Sequence, residues 1–239
     1  MAPDADTASD LMRAGAGALA VNSPRGAARA AELVDFVGTR ADRVVDLGCG
    51  RGTLLLDLVA RHTGATATGV DAAPGPIADA TARALALGVA EQAMFLVGDA
   101  AGWTGEVDAA LCIGSSHALG GSDAVPAHLA RLVCAGSTAA VIGELVWAAE
   151  PPETLLERFG PLPTGLAPLV HGARRAGWTV DAAELSTPDE WDAFESGWVA
   201  GVRAVGTPHA ARFADERWSA YQANRGVVGF GWLCLHRRA

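Results

Sequence analysis

The chain has 239 residues, half of them hydrophobic, and carries a formal charge of −9. It is long enough for one domain with a sizeable core, holds no apolar run of bilayer-spanning length, and has the wrong charge for nucleic acid, whose affinity rests on basic residues meeting phosphates. All eighteen basic residues are arginine, which excludes a P-loop lysine, a Schiff-base lysine and a pyridoxal-phosphate anchor.

The acidic, polar opening "MAPDADTASD" predicts no secretory signal. Cys49, Cys112, Cys134 and Cys234 are scattered and form no CxxC pair; they predict free thiols in a reducing cytoplasm, with neither a disulfide framework nor a zinc site. Along the chain, β-rich apolar runs near 43–47, 66–70, 93–97, 108–113 and 138–143 alternate with helical patterns over 27–39, 52–62, 75–88 and 122–134. That alternation predicts right-handed crossovers and a parallel sheet buried on both faces.

Beyond residue 145 the pattern changes. A proline-rich stretch follows, and six of the seven tryptophans fall between Trp147 and Trp232. A strand is expected near 178–185. Thr187, Pro188 and Glu190 then form a capping box with proline at the first helical position. A second helix is expected to start at Thr207-Pro208 and end before Gly226, its C-terminal cap, followed by a final strand near 227–236.

The first strand runs into "VVDLGCGRGT", where Asp46 precedes Gly48, Cys49, Gly50 and Gly52. A glycine-rich turn entering a helix points backbone N–H groups at a ligand. The dinucleotide pattern G-x-G-x-x-G fails here, because Thr53 stands at its third glycine. Acidic residues close the next two strands: Asp71 before Ala72, and Asp99 before Ala100. The fourth strand ends in "CIGSSHALGG", with Ile113, Ser115 and His117.

These motifs resemble those of class I S-adenosylmethionine (SAM) methyltransferases, and "GELVWAAEPP", "DEWDAFESGW" and "RGVVGFGW" resemble a bacterial small-molecule branch of them. The usual Pro-Gly-Gly turn before the fifth strand is replaced by Ala135-Gly136. The resemblance implies an α/β Rossmann-like sheet of seven strands in the order 3-2-1-4-5-7-6, with strand 7 antiparallel. It also implies SAM as cofactor and no metal. Asp46 would orient the turn and the methionine ammonium, Asp71 would take the ribose diol, and Asp99 with the Ala100 backbone would read adenine. Gly48, Cys49, Gly50, Gly52 and Ala72 would surround the cofactor, with Ile113 and Ser115 at its sulfonium end.

Residues 1–239 are expected to form one methyltransferase domain, in which 1–27 is a lid segment and 187–225 a helical insertion over the substrate site. Candidate catalytic residues are His117, either a base or a loop histidine bonded to backbone, and Glu144, expected at the end of the fifth strand beside the same cleft, where it binds substrate, acts as base or pairs with an arginine; both are expected to line the acceptor pocket. Trp147, Trp198, Trp218, Tyr221 and Arg225 are candidate acceptor contacts, with core packing the competing reading for the tryptophan stripe. The expected partner is a small-molecule methyl acceptor at O, N or C, with no nucleic acid or membrane. Two rival readings are an NAD(P)-dependent oxidoreductase and a SAM-binding module that does not methylate.

Overall fold

The computed structural model describes residues 7–134 and 138–237, so the Ala135-Gly136 turn and the first six residues of the lid segment lie outside the described part. Five strands, β1 (Arg43–Leu47), β2 (Thr66–Asp71), β3 (Ala93–Val97), β4 (Ala109–Ile113) and β5 (Thr138–Trp147), run parallel, and β6 (Thr179–Leu185) and β7 (Val228–Arg237) complete the sheet. The order is β3-β2-β1-β4-β5-β7-β6, and β7 pairs antiparallel with both β5 and β6. Both features match the sequence expectation.

The described residues form nine α-helices, two before β1 and seven between strands: α1 (Ala8–Gly17), α2 (Ala27–Gly38), α3 (Thr53–Arg61), α4 (Pro74–Leu87), α5 (Val125–Leu132), α6 (Glu153–Phe159), α7 (Ala167–Arg175), α8 (Pro188–Arg203) and α9 (Pro208–Ala223). The sheet separates two apolar layers. Val44, Val141 and the leucines of α3 pack with α2 on one face; Val45, Leu47, Ile142 and Leu235 pack with α5 and α7 on the other. Alternate residues of β5 serve opposite layers, which is why its apolar run is buried throughout except at the half-buried Leu145.

Three departures from the sequence reading have local causes. β5 continues past residue 143 to Trp147, because β7 offers a ten-residue antiparallel partner, Thr138↔Arg237 through Trp147↔Val228. Short α6 and α7 sit in the proline-rich stretch, α7 carrying its proline in the first turn where no N–H is needed. The third is α1, which starts at a Thr7–Asp10 capping box that the sequence reading left as an undivided lid segment.

α8 begins at the expected box: Thr187 Oγ1 accepts from Glu190 N–H, and Glu190 returns the bond to the Thr187 N–H. α1, α8 and α9 share a separate apolar cluster of Leu11, Trp198, Val199, Val202, Ala210 and Ala214. α1 and α8 cross closely at glycines. A Cβ on Gly15 would lie 2.3 Å from the Trp198 ring, and one on Gly201 would lie 2.3 Å from Ala18.

Candidate active site

The carboxyl ends of β1 to β4 open into a cleft of about 670 Å³, roofed by the non-helical strap between α1 and α2. Its size is that of a small-molecule site. Asp46, Gly48, Cys49, Gly50, Asp71, Ala72, Asp99, Ala100, Ile113, Ser115 and His117 all line it. The structure therefore brings together every candidate cofactor residue except Gly52, and adds one catalytic candidate.

The glycines have different reasons to be glycine. All three have positive φ, but a Cβ on Gly48 would strike Ser115 at 2.3 Å and one on Gly52 would strike the Phe95 ring at 2.2 Å. Those two positions are dictated by packing of the protein on itself. A Cβ on Gly50 would meet nothing within 4 Å, so Gly50 is the position whose bare backbone faces open cleft.

Asp71 is held by two backbone donors: Gly50 N–H to Oδ2 and Ala73 N–H to Oδ1, each 2.9 Å. Both oxygens keep a lone pair for a ligand. Asp99 Oδ1 accepts from Ala101 N–H at 3.0 Å, capping the short turn that follows β3. Ser115 Oγ donates to the Leu47 carbonyl at 2.5 Å, tying the end of β4 to that of β1.

Asp46 is 5% exposed, and its Oδ1 has no hydrogen-bond partner. Burial pushes its carboxyl up to about 7, with nearby Arg25 pulling it down and Asp71 adding to the rise. Burial first, then Asp46 and Asp71, likewise raises the Cys49 thiol, so Cys49 is a small wall residue and not an activated nucleophile.

The strap also contributes polar groups that the sequence reading missed. Ser23 Oγ and Arg25 Nη1 are buried without partners, and both residues line the cleft. The available signal was a charged residue in "NSPRG", among apolar and small neighbours. The strap is tied down on both sides of them. Arg51 donates to the Gly17 carbonyl, and Thr53 Oγ1 to the Ala20 carbonyl at 2.6 Å. Further on, Ser186 Oγ donates to the Pro24 carbonyl at 2.5 Å, and Gly26 N–H to Glu190 at 2.9 Å.

His117 is exposed on the cleft wall, within the short turn Ser116–Leu119. Glu144 does not line the cleft. It lies within β5 and not at the strand's end, opposite Gly231, 7% exposed, with Oε1 accepting Leu145 N–H at 2.8 Å and Oε2 unpartnered. Burial raises its pKa, opposed by Ser116, the Leu145 N–H and His117. It therefore stands behind the His117 turn, near enough for their charges to interact.

The acceptor-contact candidates lie elsewhere. Trp198 is buried in the α1–α8–α9 cluster under the Arg217 guanidinium, 3.7 Å from the ring centroid. Trp218 packs on that cluster, and Tyr221 and Arg225 both bond Asp192 of α8. Trp147 is wedged edge-on against Phe159, 6.2 Å between centroids. None of the five lines the cleft. The insertion 187–225 meets the site through α1 and the strap, where Ala193 and Phe194 of α8 wall a neighbouring cavity of about 570 Å³ shared with Leu19–Val21. Among the described residues no group of three or more His, Cys, Asp or Glu is placed to hold a metal, and no helix is long and apolar enough to cross a membrane.

Residues 44–136 match the family model described as a methyltransferase domain. A SAM-dependent methyltransferase from Geobacter sulfurreducens, crystallised with S-adenosyl-L-homocysteine, superposes with a TM-score of 0.81 at 26% identity over 95% of this chain and 98% of that one. A second, from Thiobacillus denitrificans and also in complex with S-adenosyl-L-homocysteine, gives 0.80 at 28% identity over 95% and 97%. The uncharacterized protein YjhP of Escherichia coli is 33% identical over 161 residues, 64% of each chain, so this chain spans just under two thirds of that curated relative. Residues 44–136 thus carry a methyltransferase domain, and the chain shares the sheet order and overall fold of SAM-dependent methyltransferases.

Proposed function

We propose that the protein transfers a methyl group from SAM to a small organic acceptor that enters beside His117. The observation that carries this is the convergence of Asp46, Asp71, Asp99 and His117 on one cleft under the strap. The residues present fit the cofactor: an open glycine at position 50, a carboxylate fixed at position 71 with free lone pairs, and an unpartnered buried Asp46. When bound, SAM supplies a methyl group on a sulfonium sulfur, already a good leaving group.

Asp71 accepts the ribose hydroxyls, Asp99 and the Ala100 backbone read adenine, and Ile113 and Ser115 border the sulfonium end. Alignment of acceptor and methyl carbon accounts for most of the acceleration. His117 takes the acceptor's proton at a ring nitrogen, and Glu144 acts behind it as a positioning residue. The strap, braced by α8 and α9, excludes water, which gives residues 187–225 the role of a lid acting through α1. The net charge of −9 and the enclosed cleft favour a small molecule over nucleic acid, and the four free cysteines fit the cytoplasm.

The test is an unbiased metabolite screen with SAM, following S-adenosylhomocysteine release and mass gain of one methylene in an acceptor. With a substrate found, His117→Ala should lower kcat by about 10²–10⁴-fold, the usual share of a general base, and leave S-adenosylhomocysteine affinity intact. Equal loss of cofactor affinity would make His117 a cofactor contact. Cofactor binding with no methyl gain in any acceptor would favour the non-methylating reading, and thermal stabilisation by NAD alone would favour the oxidoreductase.

A further inference from the structure

Of the eight large hydrophobic side chains exposed among the described residues, five lie between Leu85 and Val97, at the end of α4 and along β3. Leu85, Leu87, Met94, Leu96 and Val97 are 36% to 67% exposed. Together they leave about 500 Å² of surface bare, near the upper end of what a monomer keeps open to water. The two edges of the sheet, β3 and β6, also differ. β6 is guarded: it carries Asp181 and Glu184, and its pairing with β7 shifts register between Val180 and Ala182. Charges and bulges of that kind keep an edge strand from pairing with another chain. β3 has neither charge nor proline, and its pairing with β2 runs without a shift. Phe95 and Ala93 face the cluster that holds Ala84 of α4. Met94 and Leu96 turn to the other face, where the link to β4 holds only the short turn Ala100–Gly102. The charged side chains of α4 point away from this patch: Asp79 pairs with Arg51 at 3.2 Å, and Arg83 donates to Thr53 Oγ1 at 2.8 Å.

The backbone decides which partner fits. The Gln92 carbonyl accepts from Ala67 N–H, and the Gly98 N–H donates to the Asp71 carbonyl. Such contacts alternate along a parallel ladder, so Ala93, Phe95 and Val97 aim their N–H and C=O groups away from β2. A copy turned about a two-fold axis perpendicular to the sheet at Phe95 presents the same three residues in return, Ala93 to Val97 and Phe95 to itself. We infer that β3 and α4 form a two-fold interface with a second copy of this chain, β3 pairing antiparallel with its counterpart in one continuous sheet. Closing the two patches together removes about 1,000 Å² from water, the threshold for a specific interface, and the strand hydrogen bonds add to it. Because the pairing reverses the strands, the two clefts open at opposite edges of the joined sheet and neither blocks the other.

Sedimentation of the full chain at about 50 µM, above the micromolar Kd of an interface at this size limit, should give twice the 24.3 kDa mass of one chain. The proposed axis sets Met94 opposite the partner's Leu96. Met94→Lys with Leu96→Lys therefore places like charges across the axis and should leave a monomer, with circular dichroism to check the fold. Met94→Lys with Leu96→Glu places opposite charges there and should restore the dimer. Leu85→Arg, on the helix and away from the strand, should weaken the dimer about tenfold or more. Leu156→Arg, at an exposed leucine elsewhere, should change nothing. A wild-type chain that sediments as a monomer overturns the interface. So does a dimer that survives Met94→Lys with Leu96→Lys, or one lost equally in both double variants.

Discussion

Replacing Asp71 by alanine removes a carboxylate whose two oxygens already hold Gly50 and Ala73 N–H groups at 2.9 Å. Those bonds fix the plane of the carboxylate, so the remaining lone pairs point into the cleft in one orientation. Each charge-assisted hydrogen bond is worth about 1.5–3 kcal/mol. Two ribose hydroxyls would set an upper value near twice that, but Asp71 is only half-buried, and water entering the vacated space resolvates the diol. The net loss is therefore about 1.5–3 kcal/mol, or about 10- to 150-fold in Kd. The variant also leaves Gly50 N–H without its partner, which should lower Tm by about 2–4 °C per kcal/mol lost in a domain of this size. Calorimetric titration with S-adenosylhomocysteine measures the first effect and a melting curve of the empty protein the second. A Kd within about threefold of wild type, well short of one such hydrogen bond, would refute the assignment of Asp71 to the ribose.

Asp46, with its carboxyl pushed up to about 7, predicts two pH effects of opposite sign. S-adenosylhomocysteine should bind about tenfold more weakly at pH 6 than at pH 8, as the carboxylate that receives the ammonium is protonated, and Asp46→Asn should abolish that slope. The empty folded chain holds this proton up to about pH 7 while the unfolded chain releases it near 4, so Asp46 makes the empty protein less stable as pH rises through that window; denaturation of wild type and Asp46→Asn at pH 5.5 and 8 measures it. Trp198→Ala should cost about 3–5 kcal/mol of stability by chemical denaturation, the range for a fully buried aromatic, and a loss under about 1 kcal/mol, typical of a surface change, would show that the side chain is not the core of the lid.

The succession of strands and the place of the cleft were legible because alternating apolar runs and acidic strand ends are local signals; the order of the strands across the sheet came only from the family resemblance. The role of the insertion was not. Helical spacing puts Trp198 and Val202 on one face, but nothing in that spacing says whether the face meets a ligand or another helix. The answer lay in α1, where Gly15 makes room for the Trp198 ring, almost two hundred residues earlier in the chain. Glu144 was misplaced for a related reason. Its position depended on how far β5 extends, and that length is set by β7, a partner remote in sequence. Gly52 belongs to the motif yet is explained by Phe95, a packing contact that no motif can report.

Glu190 has a consequence for anyone recombining this protein with its relatives. Its one carboxylate accepts from the Thr187 N–H, the Gly26 N–H and the Arg29 side chain, so a single residue joins the start of α8 to the start of α2. A graft of the helical insertion that omits its N-terminal counterpart would orphan donors on both segments at once. The unit that exchanges intact is therefore discontinuous: the first thirty or so residues and the α8–α9 hairpin must be transplanted as a pair.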